Sequence, residues 1–224
     1  MKYHVEFDID FKRNETQGLY IAVEGIDGSG KTTQVEKLVE YFKNQGREVV
    51  QTREPRKDEG LIGELIQKIL HGKTTIPPVA FQYLFSADRE MHHEELIKPA
   101  LKAGKVVVSD RCFWSVIPYG IMDLGGNLDE NTGEYLLVAQ SILSMYHQFT
   151  IPDFTFYLQT PLDTAMERIQ QSESVKEIYE DRELLAKTIK GYEWLLQKFP
   201  KEFKVIDATQ SVEKVTEEII STIK

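Results

Sequence analysis

The sequence predicts an α/β fold, a parallel sheet covered on both faces by helices, within a chain of 224 residues. Three observations carry this. Short apolar runs alternate along the chain with longer stretches of helical periodicity, the pattern of βαβ units. Residues 105–109 hold three consecutive valines, which suits a strand buried on both faces rather than one. Residues 19–23 run straight into a glycine-rich turn and then an amphipathic segment, so strand, loop and helix follow without a gap.

Each element can be justified in order. Residues 1–17 carry Val5, Phe7, Ile9 and Phe11 at period two and form an N-terminal extension, either a short extra strand at a sheet edge or a disordered leader. The remainder, 18–224, has no linker-like tract or repeat and reads as a single domain. After the first strand, Val35, Leu38, Val39 and Phe42 recur at helical spacing, and Gly46 stops that helix before a second strand at 48–52. Helices are expected over 61–70 and 79–103, the latter with a break at 92–95. The valine strand follows. Residues 135–149 are apolar nearly all round and predict a central helix. A strand at 154–158 leads to a helical stripe of Leu162, Ala165, Met166 and Ile169. A polar stretch, 170–177, then interrupts the pattern. A helix through Leu185, Ile189, Tyr192, Leu196 and Phe199, a fifth strand at 203–206 and a helix carrying Val212, Val215, Ile219 and Ile223 complete the chain.

Composition narrows the function. Charged residues make up 28% and hydrophobic ones 41%, which is globular. The net charge of -9 and the lack of clustered Lys and Arg argue against a nucleic-acid partner. A small phosphate ligand held by a few local cations remains compatible. No membrane-length apolar run occurs, and the single Cys112 fits a reducing compartment, so a cytoplasmic location is expected.

Gly25-Ile26-Asp27-Gly28-Ser29-Gly30-Lys31-Thr32 fits GxxxxGK[ST], with Thr33 opening the helix. Glycines at 25, 28 and 30 let successive N–H groups point into one concavity, and the helix adds its positive N-terminal end. This is a P-loop, and with the alternating elements it predicts a P-loop NTPase three-layer sandwich around a parallel five-stranded sheet. Lys31 would pair with the β and γ phosphates of ATP, and Thr32 would give its hydroxyl to Mg²⁺.

Open α/β sheets build their sites at the carboxyl ends of strands, and further motifs fall there. Thr52-Arg53-Glu54-Pro55-Arg56 ends the second strand, Asp110-Arg111 follows the valine strand, and Asp207-Ala208-Thr209 follows the last. Phe85-Ser86-Ala87-Asp88-Arg89 lies mid-helix. Singly, Asp88 and Arg89 suit a solvated helix face, Arg53 and Arg56 suit surface charges, and Phe85 suits core filling. Asp110, an acid directly after a buried strand in a P-loop chain, is a candidate metal-side carboxylate with Thr32. Together the motifs supply several guanidinium forks beside a phosphate loop, which suggests a second phosphate-bearing substrate.

With VEGIDGSGKTTQ at 23–34, TREP at 52–55, LFSADR at 84–89, DR at 110–111 and, more loosely, IDAT at 206–209, the sequence resembles thymidylate kinases, nucleoside monophosphate kinases that move a phosphoryl group from ATP to dTMP. The resemblance implies that Asp27 lies between the two nucleotides, near metal or acceptor. It implies that Phe85 stacks on thymine and Arg89 hydrogen-bonds the ring carbonyl edge. Arg111, with Arg53 or Arg56, would hold the monophosphate. Ser115 and Tyr119 continue the DR motif, the tyrosine lying against the sugar and disfavouring a 2'-hydroxyl. The family supplies a transition-state arginine from the loop or from the lid. Gly28 and Ser29 occupy the loop positions, so the lid, about 170–180 and holding the polar stretch, would provide it: Arg168 at its start is expected to serve, with Lys176 or Arg182 assisting. A homodimer is implied too, supported by the apolar segments 79–85 and 135–149. Cys112, Val116 and Pro118 depart from the family pattern, and Arg56-Lys57-Asp58-Glu59-Gly60 replaces its Gly-Gly-Thr. A deoxynucleoside kinase, a kinase of another monophosphate, or a regulatory NTPase would share the loop and the sheet.

Overall fold

The computed structural model describes residues 10–57, 60–123, 149–172 and 177–224. Five strands pair in the order β2-β3-β1-β4-β5, all parallel: β1 Leu19–Glu24, β2 Val49–Arg53, β3 Val106–Asp110, β4 Phe154–Gln159 and β5 Lys204–Asp207. The first strand in the chain is therefore the middle of the sheet. Its neighbours β3 and β4 lie on opposite sides of it, so the strand order reverses there, and the carboxyl end of β1 opens onto the crevice where such sheets bind ligands.

Alternation along β1 sorts the core. Ile21 and Val23 join Val35, Leu38 and Phe42 of α1 (Lys31–Asn44) and Val215 and Ile219 of α8 (Val212–Ile223) on one face. Ala22 turns to the other face with Trp114, Ile117 and Tyr192, while Tyr20 packs there with Ile97 and Leu101. Every residue of β3 is buried, as three valines in a row require of a strand covered on both sides.

Helix ends follow local chemistry. Gly46, at φ 72°, lets the chain leave α1 while Arg47 N–H closes on the Phe42 carbonyl at 3.0 Å. The Asp181 side chain caps α7 (Arg182–Lys198) by accepting from the N–H groups of Glu183 and Leu184. Helix α2 spans Gly60–Leu70 and α3 spans Pro78–His92, with Pro78 at a first-turn position where no N–H is needed. The break expected at 92–95 is instead a π-helical turn, His93–Ile97, leading into α4 (Lys98–Lys102). It directly precedes Pro99, whose ring and missing N–H do not fit a continuous α-helical ladder.

A 3-10 turn, Phe113–Ser115, and α5 (Val116–Asp123) follow β3, and α6 (Leu162–Gln171) follows β4. The helix expected over 135–149 lies outside the described residues except for Phe149, and so do Lys176 within the lid and Val5, Phe7 and Ile9 of the extension. Phe11 packs its ring against Phe113, Trp114 and Phe199, Lys12 makes a single parallel bridge to Thr150, and Arg13 pairs with Glu202 at 2.7 Å. Among the described residues the extension therefore docks on the body without adding a sixth strand.

Candidate active site

The loop between β1 and α1 bends through positive φ at Gly25, Gly28 and Gly30. Gly28 is required twice over: its φ is 77°, and a Cβ there would stand 2.4 Å from the Ala165 carbonyl of α6. Lys31 is 6% exposed and folds back over the loop, donating to the Ile26 carbonyl at 2.8 Å with Asp27 at 3.8 Å. Burial, helped by Arg111, pushes its ammonium down to about 8 against the pull of Asp27 and Asp110. In the first turn of the helix, the Thr32 hydroxyl donates to Asp110 Oδ2 at 2.7 Å, joining the loop to the end of β3.

Beside the loop, Arg111 is the hub. It has φ 72°, uncommon for a residue with a side chain, and the conformation is held by its own N–H on the Val23 carbonyl at 2.9 Å and by Ser109 Oγ on its carbonyl at 2.6 Å. Its guanidinium donates to Asp27 Oδ1 at 2.6 Å, the Gly25 carbonyl at 2.8 Å and the Tyr119 hydroxyl at 2.9 Å, with Ser115 and Tyr192 at 3.2 Å. Burial alone would raise the Asp27 carboxyl, but the Arg111 and Lys31 charges hold it well below the usual carboxylate range. It therefore serves as a fixed anion.

Beneath this hub lies Glu24, which is fully buried and which sequence reasoning missed. Its carboxylate accepts from Cys112 N–H at 2.8 Å, Ser115 Oγ at 2.5 Å and the Tyr192 hydroxyl at 2.7 Å. A buried charge is tolerable only when its lone pairs are met, and here they are met by the same groups that hold Arg111. The available signal was a charged residue ending a strand otherwise apolar from residue 19 onward. Nothing local names its partners, one of which is 168 residues away.

These groups open into one cavity of about 710 Å³ at the carboxyl ends of β1, β2 and β3. Although the chain is strongly acidic, Lys31, Arg53, Lys57, Arg89, Arg111 and Arg168 all line this space. Phe85 and Arg89, four residues apart on α3, reach it from one helix face, and Glu54, Glu177 and Glu180 also line it. From α6, Arg168 donates to the Ala208 carbonyl at 2.9 Å and lies 3.4 Å from the Gly28 carbonyl, so its guanidinium spans the loop and the segment after β5. Lys57 forms an ion pair with Glu177, connecting the residues after β2 to the lid.

Of the residues singled out in the sequence, Asp27, Gly28, Gly30, Lys31, Thr32, Thr33, Arg53, Phe85, Arg89, Asp110, Arg111, Ser115, Tyr119 and Arg168 line the cavity together. Gly25 and Ile26 contribute carbonyls to Arg111 and Lys31. Ser29 is buried behind the loop.

Three expectations are corrected. Arg56 does not line the cavity: its guanidinium is buried between Asp88 at 3.4 Å and Glu95 at 3.0 Å, which leaves Arg53 as the exposed arginine on this segment. Asp88 and Arg89 form no solvated helix face, being 2% and 4% exposed. Arg182 points away, paired on the surface with Asp163 at 2.6 Å.

The geometry is thus a glycine-rich loop with its lysine and several arginines lining one cavity. A family model described as thymidylate kinase matches residues 23–219. A probable thymidylate kinase of Thermococcus kodakarensis is 37% identical over 218 residues, covering 92% of this chain and 97% of its own. A thymidylate kinase of Bifidobacterium longum is 38% identical over 212 residues, with 92% and 98% covered. A probable thymidylate kinase of Pyrococcus horikoshii is 34% identical over 213 residues, with 93% and 97% covered. The chain belongs to the thymidylate kinase family.

Proposed function

We propose that this protein transfers the γ-phosphoryl group of ATP to dTMP, giving ADP and dTDP, with the P-loop holding the donor and Arg111 and Arg53 holding the acceptor phosphate. The observation that carries the reading is the juxtaposition of Lys31 and Arg111, both in contact with Asp27, in one cavity. Phosphoryl transfer between two nucleotides requires that two anions approach in line, which positioning and charge neutralisation accomplish without a strong base. The acceptor is already an anion, so Asp27 is a spacer that keeps Arg111 and Lys31 apart and oriented, not a general base. Lys31 regains full charge when triphosphate oxygens stand beside it, since nearby negative charge favours the ammonium.

Magnesium fits the residues present. Thr32 and Asp110 offer a hydroxyl and a carboxylate oxygen 2.7 Å apart at the mouth of the loop, and no cluster of three His, Cys, Asp or Glu able to cage an ion occurs among the described residues. One or two protein oxygens completed by phosphate and water is the way Mg²⁺ is usually bound. Held by Thr32 and Asp110, such an ion would supply neutralisation of phosphate charge. Asp27, between Lys31 and Arg111, would lend a further carboxylate oxygen on the acceptor side.

Phe85 and Arg89 support a base pocket for thymine, by stacking and by donation to a ring carbonyl. Val79, Tyr83 and Met91 leave an exposed apolar stripe on α3, which supports association of two copies, and sedimentation at micromolar concentration should give twice the chain mass. No described helix is long and apolar enough to cross a membrane, and the single Cys112, suited to a reducing compartment, supports a cytoplasmic location. The decisive assay is coupled ADP release across dTMP, thymidine, dUMP and dCMP. Release with dTMP and none with thymidine is expected. Equal release with thymidine would make it a nucleoside kinase, and release without any acceptor would make it an NTPase.

A further inference from the structure

Beneath the base-facing side of the cavity, four residues join in a line. The Thr52 hydroxyl lies 2.6 Å from His92 Nε2, His92 Nδ1 lies 3.3 Å from Glu54 Oε1, and Arg89 Nε donates to Glu54 Oε2 at 2.5 Å. His92 is fully buried and Glu54 is 3% exposed. Arg89 and Glu54 reach the cavity, whereas His92 does not. Burial alone would raise Glu54, but Arg89 and His92 hold it down to about 2, so it is a carboxylate that only accepts. His92 Nδ1 must then carry the proton and donate, leaving Nε2 for the Thr52 hydroxyl.

We propose that His92 is a positioning residue for base recognition, fixing the Arg89 guanidinium through Glu54. This rests on the reading of Arg89 as the donor to the 4-carbonyl of thymine. A carboxylate can meet a guanidinium edge-on through Nε or end-on through both terminal nitrogens. Which of these forms decides where the remaining donors point. With one oxygen taken by His92, Glu54 cannot rotate, and Arg89 is held by its Nε edge. Thr52 in turn orients the imidazole. A chain of satisfied buried partners of this kind specifies one geometry rather than merely adding stability.

The test compares kcat/KM for dTMP and for 5-methyl-dCMP, which carries an amino group where dTMP has the 4-carbonyl and so presents a donor to a donor. His92→Leu removes both bonds. It should raise the KM for dTMP about tenfold with little change for ATP, and should narrow the preference for dTMP by a similar factor. His92→Asn, whose amide nitrogen falls near the Nδ1 position, should restore most of that preference. Thr52→Val should weaken it about threefold, and decides the matter if His92→Leu fails to fold. Arg89→Leu is the control on the underlying reading. If it keeps the preference for the carbonyl, Arg89 does not read the base and the proposal falls with that assignment. If Arg89→Leu loses the preference while His92→Leu and Thr52→Val keep it, or if Asn rescues no better than Leu, only the positioning role is overturned.

Discussion

Tyr192→Phe removes one oxygen from the centre of the site and leaves the ring in place against Tyr157, whose centroid is 4.8 Å away. That oxygen donates to Glu24 at 2.7 Å and accepts from Arg111 at 3.2 Å. A hydrogen bond to a buried charged group contributes about 1.5–3 kcal/mol. Glu24 keeps the Cys112 N–H and the Ser115 hydroxyl, so it is not orphaned, and the lower end, about 1.5–2 kcal/mol, applies. For a domain of this size each kcal/mol moves the melting temperature by about 2–4 °C, so Tyr192→Phe should melt about 3–8 °C lower. Arg111 loses one of five partners and gains freedom to swing, so the KM for dTMP should rise about threefold, with the KM for ATP unchanged. Circular dichroism melting at neutral pH and a coupled assay measure both. A melting point within about 1 °C of the parent would refute the argument that Tyr192 stabilises the buried carboxylate. A lowered melting point with an unmoved KM would refute its link to Arg111.

Lys31→Ala should lose transfer by at least about a hundredfold while melting normally, because a buried donor at the β and γ phosphates acts mainly in the transition state; near-normal turnover would dismiss the loop assignment. Arg168→Ala should lower kcat far more than it raises the KM for dTMP, the mark of a contact made late in the reaction. If instead Lys176→Ala shows that pattern and Arg168→Ala does not, the lid cation is misassigned. Acid should destabilise the fold in two stages. Burial pushes His93 down to about 4, so the unfolded chain binds its proton first as pH falls from about 6.5 to 4, a loss of about 3 kcal/mol. Glu54, held down to about 2, adds a second loss as pH falls from about 4.5 toward 2. His93→Phe should abolish the first stage alone, because among the described residues neither ring nitrogen has a hydrogen-bond partner and the ring packs against other rings, 4.6 Å from Phe149; an unchanged slope between pH 6.5 and 4 would exclude His93.

What sequence reasoning could read depends on how local the cause is. The strands, the loop glycines and the Asp110-Arg111 pair are legible because period, turn chemistry and strand ends are set by neighbours in the chain. Arg53 and Arg56 are not separable that way. Only the folded position of Asp88 and Glu95 on the neighbouring helical segment decides that Arg56 turns inward. Asp88 and Arg89 look like surface charges because helical phase alone does not reveal that Glu54 and Arg56 will arrive to neutralise them. Glu24 and Tyr192 are the extreme case, a carboxylate and a phenol that make sense only once β1 and α7 are packed together.

The close passage of Gly28 beneath the Ala165 carbonyl constrains what evolution can do at this site. With α6 backbone occupying the space where a side chain would begin, no residue larger than glycine can enter position 28 unless the helix retreats, and Arg168 is carried on that same helix one turn further along. A side chain acquired in the loop at 28 would thus displace the helix that carries Arg168. A side chain at 28 and the present seat of Arg168 therefore exclude each other, and gaining the one means moving the other.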